Sequence, residues 1–243
     1  GNVLQHNANH DTADAALFEI GRVFRDDDGQ PAESWSLAIA LTGRRFSPFY
    51  EGAEREAMNE FADIKGIIEE FADQFGMRGV SYERHDEAGE FFVESGSVKL
   101  GNKPVGTLGQ FSPLLARRHD LKHPVFFAEF DLGQALQRRT TKRSFKALPA
   151  FPGTRRDIAM LVADDTTHDA VLQSVRKAKA KNLESVELFD VYRGEGVEAG
   201  QKSVAYAFHY RSAEGTLKDK QVDAVHGKGL ERLRGDLRAT LRG

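Results

Sequence analysis

The chain has 243 residues, 40% hydrophobic and 29% charged, with a formal net charge of −3 at neutral pH. This is a globular composition with chain enough for one large or two medium domains. It contains no cysteine, which excludes disulfides, thiolate metal sites and cysteine nucleophiles and fits a reducing, cytoplasmic setting, and no apolar run nears the ~20 residues of a membrane span.

The opening "GNVLQHNANH" is polar, unlike a signal peptide, and is expected to be disordered. "LFEIGRVF" and "SLAIALT" read as strands, the second so continuously apolar that both its faces should be buried. Met58, Phe61, Ala62, Lys65, Ile68, Phe71 and Phe75 recur at three- and four-residue steps and predict a helix from about 54 to 76. "HDEAGEFF" is a solvated turn entering a strand, so Glu90 and Glu94 near Asp86 and Glu87 are surface charges rather than paired catalytic carboxylates. "SVKLGNKPVGTLGQF" predicts a hairpin turning at Gly101-Asn102, and "PVFFAEFDL" another buried strand. Pro149 and Pro152 fit neither a helix interior nor a central strand, so the segment around them is a short extended linker and the domain boundary falls near 149.

Beyond the linker, "RDIAMLV" (156–162) is a strand. Thr166 with Asp169 fits a capping pair for a helix whose Val171, Leu172, Val175 and Ala178 share one face. "ESVELFDVY" (184–192) and "KSVAYAFHYR" (202–211) are strands. A second helix after Gly215 carries Val222, Val225, Leu230, Leu233 and Leu237, with Gly227 and Gly229 weakening it by about 1 kcal/mol each. "RATLRG" closes the chain as an edge strand. The order is βαββαβ, the split βαβ of ferredoxin-like domains.

Between the middle strands, "GEGVEAG" looks like a glycine-rich phosphate loop. A phosphate loop needs a helix N-terminus behind it, and here a strand follows, with two glutamates in the loop to repel an anion. It is a hairpin loop whose glycines supply positive φ. By strand alternation Val204, Tyr206, Phe208 and Tyr210 belong under the helices, and Ala159, Ser203 and Ala205 line the opposite, small-residue face. Tyr192 is expected on that open face, on the reasoning that Phe189 and Val191 fill the buried side. Residues 151–243 hold 16 Lys+Arg against 14 Asp+Glu, and the rest 18 against 23. That balance permits a nucleic-acid contact in the second half without demanding one; the runs Arg25-Asp26-Asp27-Asp28 and Lys177 to Lys181 read as solvated turns and faces. The pairs His6/His10 and His119/His123 lack a third ligand at a telling distance and are chance spacings.

"FPGTRRDIAMLV", "ELFDVYRGEGVEAGQKSVAYAFHYR", "GTLKDKQVD" and the final "LRG" strongly resemble the ferredoxin-fold anticodon-binding domain that closes the bacterial phenylalanyl-tRNA synthetase β subunit. "ALFEIGRVFRDD", "EFADIKGIIEEFADQFG", "GNKPVGTLGQFSPLLARRHDL" and "PVFFAEFDL" resemble the catalytic-like region that precedes it, with looser motifs. Gln110-Phe111-Ser112-Pro113 stands where the family has a more polar, histidine-containing turn, and Lys218 replaces the hydroxyl residue expected to cap the last helix.

The resemblance implies an α+β chain: a class II synthetase-like antiparallel sheet domain over 1–148, then a ferredoxin-like domain over 149–243. It implies a much longer β subunit of which this is the C-terminal part. The full heterotetramer would charge tRNA(Phe) with ATP and Mg2+, with the chemistry on the α subunit and no cofactor or metal bound by this chain. No "GxGxGxxR"-like ATP motif follows the middle strands, and Arg22 reads as a surface or interface ion. The partners implied are the α subunit, packed on the apolar strands and helix of the first domain, and tRNA(Phe), with no membrane. The family's anticodon-recognition positions fall on Ala159, Tyr192 and Ser203; Arg156, Asp190 and Lys202 are added by charge and position, with an ion pair between Arg156 and Asp190 as the structural reading of those two. The competing readings are a stand-alone ferredoxin-like RNA-binding protein and an acylphosphatase-like enzyme. The enzyme would need a water-placing asparagine that 184–192 and 202–211 lack, and "KSVAYAF" lacks the glycine of an RRM third strand.

Overall fold

The computed structural model describes residues 1–10, 12–27, 29–46, 56–87, 89–140 and 148–242. The chain divides into two compact units, 1–144 and 145–243.

The first unit opens with α1 (Asn2–Ala8), then the long hairpin β1 (Ala15–Asp27) and β2 (Gln30–Thr42), α2 (Phe61–Gln74), β3 (Val80–Arg84), β4 (Phe92–Leu100), β5 (Lys103–Phe111), α3 (Pro113–Arg118), β6 (Val125–Asp131) and α4 (Leu132–Leu136). Its sheet has the order β1-β2-β6-β5-β4-β3, and every pair in it is antiparallel. Strand alternation sends Leu37, Ile39, Leu41, Phe126, Ala128, Phe130 and Leu108 to one face, where they form a core with Ile64, Ile68 and Ala72 of α2. The opposite face of β2 carries Ser36, Ala38 and Ala40, and the Ser36 hydroxyl donates to Glu129 at 2.7 Å. So β2 packs a helix on one face only, and its other face is small and polar.

Sequence and structure part company at three places in this unit. The N-terminus is a helix, anchored by buried Leu4, rather than disordered. The second helix starts at Phe61 because Glu60 and Asp63 close a capping box there; residues 54 and 55 of the expected range lie outside the described residues, and Met58 forms an isolated bridge with Arg44. The edge strand β3 and the short α3, capped by Ser112, carry too little pattern to be read from sequence.

The second unit comprises β7 (Thr154–Ala163), α5 (His168–Lys177), β8 (Leu183–Tyr192), β9 (Gln201–Tyr210), α6 (Asp219–Leu237) and β10 (Thr240–Arg242). Its sheet order is β10-β7-β9-β8, all antiparallel, which is the ferredoxin-like βαββαβ arrangement. Met160, Val162, Val204, Tyr206, Phe208 and Tyr210 meet Val171, Val175, Val222 and Leu233 from the helices, as alternation predicts. Two histidines satisfy the tyrosine hydroxyls that this core buries: His168 Nδ1 lies 2.9 Å from Tyr206 Oη and His226 Nδ1 3.0 Å from Tyr210 Oη. Burial pushes the Tyr210 hydroxyl up to about 12. The α5 cap is Thr167, whose hydroxyl accepts from Ala170 N–H, one residue beyond the expected Thr166. The helix α6 runs through Gly227 and Gly229 without a break.

Candidate nucleic-acid interface

With both helices on one side, the second sheet leaves its other face open. Register fixes what stands there. Arg155, Asp157, Ala159 and Leu161 of β7 lie opposite His209, Ala207, Ala205 and Ser203 of β9. On the far side of β9, Glu187, Asp190 and Tyr192 of β8 lie opposite Ala207, Ala205 and Ser203. One row across the sheet is therefore Ala159, Ala205, Asp190, and the next is Leu161, Ser203, Tyr192.

That arrangement has a small floor, an exposed ring and two idle polar groups. Ala159 and Ala205 keep the floor low. Tyr192 is 43% exposed, its ring held over Gly194: a Cβ there would lie 2.7 Å from Tyr192 Oη, so the position needs glycine for close approach. Tyr192 Oη donates to the Glu195 carbonyl at 3.3 Å. Neither the Asp190 carboxylate nor the Ser203 hydroxyl has a hydrogen-bond or ion-pair partner among the described residues. The loop beyond Tyr192 is a hairpin connection with Gly196 and Gly200 at φ +82, consistent with the turn role of its glycines.

Two candidates stand elsewhere. Arg156 is opposite Phe208 on the helix side. Its guanidinium binds Asp219 Oδ1 at 2.7 Å and Asp223 Oδ1 at 3.0 Å, and those bonds hold it more firmly protonated. It pins the start of α6 to the sheet, so Arg156 takes the structural reading of an ion pair rather than an RNA contact, with Asp219 and Asp223 as partners in place of Asp190, which occupies the opposite face. Lys202 is opposite Val162, at the hairpin end of the helix side, and its Nζ donates to the Asp164 carbonyl at 2.8 Å. Burial, and then the neighbouring Arg193 charge, lower its pKa.

Sequence reasoning missed Phe189 and Arg155. The β8 register shifts between Leu188 and Asp190, and Phe189, 53% exposed, turns out to the open face with the Arg155 guanidinium 5.3 Å from its ring centre. Val191 takes the helix-side position opposite Val204 instead, itself 43% exposed at the strand's end. No residue pattern announces a bulge of this kind.

The first unit offers a different surface. On the edge strand β1, Phe18, Ile20 and Phe24 are 74%, 50% and 72% exposed, and Trp35 opposite Arg22 is 47% exposed. Arg22 pairs with Glu33 at 2.7 Å and lies 5.0 Å over the Trp35 ring. Phe18 and Ile20 face the same way as Ile39 and Leu37, so this strip continues the core beyond the reach of α2. The His6 and His10 rings meet at a tilt of 38° with centroids 4.3 Å apart, and among the described residues no group of three or more histidines and carboxylates is placed to hold a metal. No helix among them is long and apolar enough to cross a membrane.

The profile of the phenylalanyl-tRNA synthetase beta chain CLM domain matches residues 2–132, and that of the ferredoxin-fold anticodon-binding domain matches 149–242. The phenylalanine–tRNA ligase beta subunit of Symbiobacterium thermophilum is 33% identical over 96% of this chain and 26% of its own length. That of Geobacter sulfurreducens is 34% identical over 97% of this chain and 30% of its own length; that of Bacillus subtilis is 32% identical over 99% and 30%. The chain thus spans under a third of these relatives. Among solved structures, a pyrrolysyl-tRNA synthetase of Desulfitobacterium hafniense aligns at a TM-score of 0.43 and 14% identity, over 56% of this chain and 45% of that one. From residues 2–132 through 149–242, this chain belongs to the phenylalanyl-tRNA synthetase beta-chain family.

Proposed function

We propose that this chain serves a cytoplasmic phenylalanine–tRNA ligase by holding the anticodon loop of tRNA(Phe) on the open face of its second unit. Residues 149–243 are the anticodon-binding domain and 1–148 the catalytic-like domain, which packs on the α subunit through Phe18, Ile20, Phe24, Trp35 and the outer side of α2. Charging with ATP and Mg2+ takes place on that partner, and this chain contributes no catalytic group.

The carrying observation is the conjunction of an exposed ring with two unengaged polar groups over an alanine floor. A base stacks on Tyr192, the low floor of Ala159 and Ala205 lets it approach the sheet, and its polar edge meets Asp190 and Ser203. A carboxylate accepts from exocyclic amino groups and ring N–H, so Asp190 selects bases that present donors. Lys202 and Arg156 support this site from behind: Lys202 steadies the hairpin end through Asp164, and Arg156 fixes α6.

The test is Tyr192→Ala, titrated with the anticodon arm of tRNA(Phe). Base–aromatic stacking is worth about 1–3 kcal/mol, so affinity should fall by about 5- to 150-fold. The salt slope should stay constant, because no charge is lost, and so should the unfolding midpoint, because the ring lies outside the second core. Unchanged affinity, or a large loss of stability, refutes the reading.

A further inference from the structure

The last strand adds a charge to the open face. In the pairing of β10 with β7, Leu241 lies opposite Met160 on the helix side, and Thr240 and Arg242 lie opposite Leu161 and Ala159 on the open side. Arg242 therefore extends one row across the sheet, which now reads Arg242, Ala159, Ala205, Asp190. A cation stands at one edge, a carboxylate at the other, and two alanines between them. The guanidinium leans toward the hairpin: its Nη2 lies 4.0 Å from where a Cβ would stand on Gly196. Gly194, two residues earlier, underlies the Tyr192 ring, and the Glu195 carbonyl between them accepts the Tyr192 hydroxyl. Two residue steps cover at most about 7 Å, so ring and cation flank the same short piece of loop.

A bland account exists for a charge in this place. Charged side chains on edge strands discourage pairing with other chains, and Arg234 and Arg238, on α6 and at its C-cap, are likewise exposed and unpaired among the described residues. That account does not explain why Arg242 is turned onto the open face and toward the ring. Nor does it explain why the guanidinium is unengaged there. Arg155 is held by Asp157 at 2.6 Å and Arg193 by Asp164 at 2.7 Å. Arg242 has no hydrogen-bond or ion-pair partner among the described residues, not even Glu195 beside Gly196.

We infer that Arg242 holds a backbone phosphate of the nucleotide whose base stacks on Tyr192. The inference rests on the anticodon-binding reading and deepens it: β10 joins the interface, and the bound nucleotide gains an orientation. The donor groups that Asp190 accepts lie on the pairing edge of a base, away from its glycosidic bond. With that edge at Asp190, the ribose points across Ala205 and Ala159 toward β10, and the phosphate arrives at Arg242. The row spans three strand spacings, about 14 Å, and the long arginine side chain bridges part of that distance. Its planar fork can meet two phosphate oxygens at once. A phosphate contact positions the chain without reading sequence, so Asp190 selects and Arg242 anchors.

The experiment titrates the 243-residue chain with the anticodon arm of tRNA(Phe) at several salt concentrations. The proteins are the parent, Arg242→Gln, Arg242→Lys, Arg234→Gln and Tyr192→Ala. One phosphate contact on a single strand contributes about 0.7 to the slope of log affinity against log salt. Arg242→Gln should lower the slope by that amount, which weakens binding roughly eightfold at about 0.05 M salt and hardly at all near 1 M. Arg242→Lys keeps the charge and should keep the slope, which guards against misfolding. Arg234→Gln removes an equal charge from α6, away from the open face, and should leave the slope at the parent value. Arms carrying a single neutral methylphosphonate, scanned through the loop, should include one position at which Arg242→Gln has no further effect. An Arg242→Gln slope equal to that of the parent or of Arg234→Gln, with Tyr192→Ala still weakening binding, overturns the phosphate contact and leaves the anticodon reading standing. A lowered slope without such a methylphosphonate position overturns it as well. If Arg242→Gln acts and Tyr192→Ala does not, the stacked base and the orientation drawn from it are refuted. If neither alters binding, both readings fall.

Discussion

Removing one oxygen atom from the second core should destabilise it measurably. Tyr210 is 2% exposed and His226 9%. The hydroxyl of the first shares a 3.0 Å hydrogen bond with Nδ1 of the second, whose ring also stands edge-on to Phe208 at 5.0 Å. In Tyr210→Phe the aromatic ring stays, so no large cavity opens, but a buried imidazole nitrogen loses its partner. An orphaned buried polar group costs about 1–3 kcal/mol. Adding His226→Leu removes the orphan and should recover part of that loss, a non-additivity that two independent sites would not show. The pair also sets a pH limb. Burial, and then the Arg156 charge, lower the His226 pKa below its ordinary 6.5. The unfolded chain therefore takes up a proton first as pH falls. Stability from this group is fully present above about 6.5 and is lost below it, by at most about 1.4 kcal/mol per pH unit; in His226→Leu this loss should vanish. The readout is the opening free energy of the β9 amides by hydrogen exchange in the intact chain. A Tyr210→Phe variant as stable as the parent, or a double variant showing simple addition, would refute the argument.

Gly194→Ala should reduce anticodon-arm affinity toward that of Tyr192→Ala while shifting stability by less than about 1 kcal/mol. The new Cβ lies 2.7 Å from Tyr192 Oη and 2.9 Å from Cζ, and the exposed ring can swing aside at little cost to the fold. Parent-like affinity in the same titration would mean that the ring position is immaterial. Lys218→Ser should stabilise the second unit by about 1 kcal/mol, because Lys218 caps α6 without a side-chain acceptor. A thermal midpoint that fails to rise would show that Gln221, which accepts the Lys218 N–H at 3.1 Å, already does the capping.

Legibility in the sequence followed the length of each element and how it is packed. The second unit was readable because β9 alternates over ten residues against two amphipathic helices, and because a loop followed by a strand rather than a helix cannot be a phosphate loop. The helix α2 was readable in its body and misread at its start, where a Glu60–Asp63 capping box rather than hydrophobic spacing decides the boundary. Elements with a single anchor were invisible: α1 holds one buried residue, Leu4, and β3 is a five-residue edge strand. Their conformation is imposed by neighbours, and no local periodicity records it.

The candidate site shows how a right placement can rest on a wrong step. Counting by two along β8 from Val186 and Leu188, which lie opposite the buried Phe208 and Tyr206, would carry Asp190 and Tyr192 into the helix side and put Val191 out. A regular strand would therefore bury a carboxylate against the core. The slip between Leu188 and Asp190 reverses the alternation: Phe189, Asp190 and Tyr192 come out, and Val191 goes in opposite Val204. Sequence reasoning put Tyr192 on the open face by assuming that Phe189 and Val191 were both buried, and only Val191 is on that side. The bulge thus lets one edge strand present an acid and two aromatic rings to the same face while Leu183 and Val186, ahead of it, pack against the helix-side core. A strand without it could offer Tyr192 only by giving up Val186 and Leu188 from the helix side, so the irregularity, rather than the residue types alone, is what gathers the candidate residues on the open face.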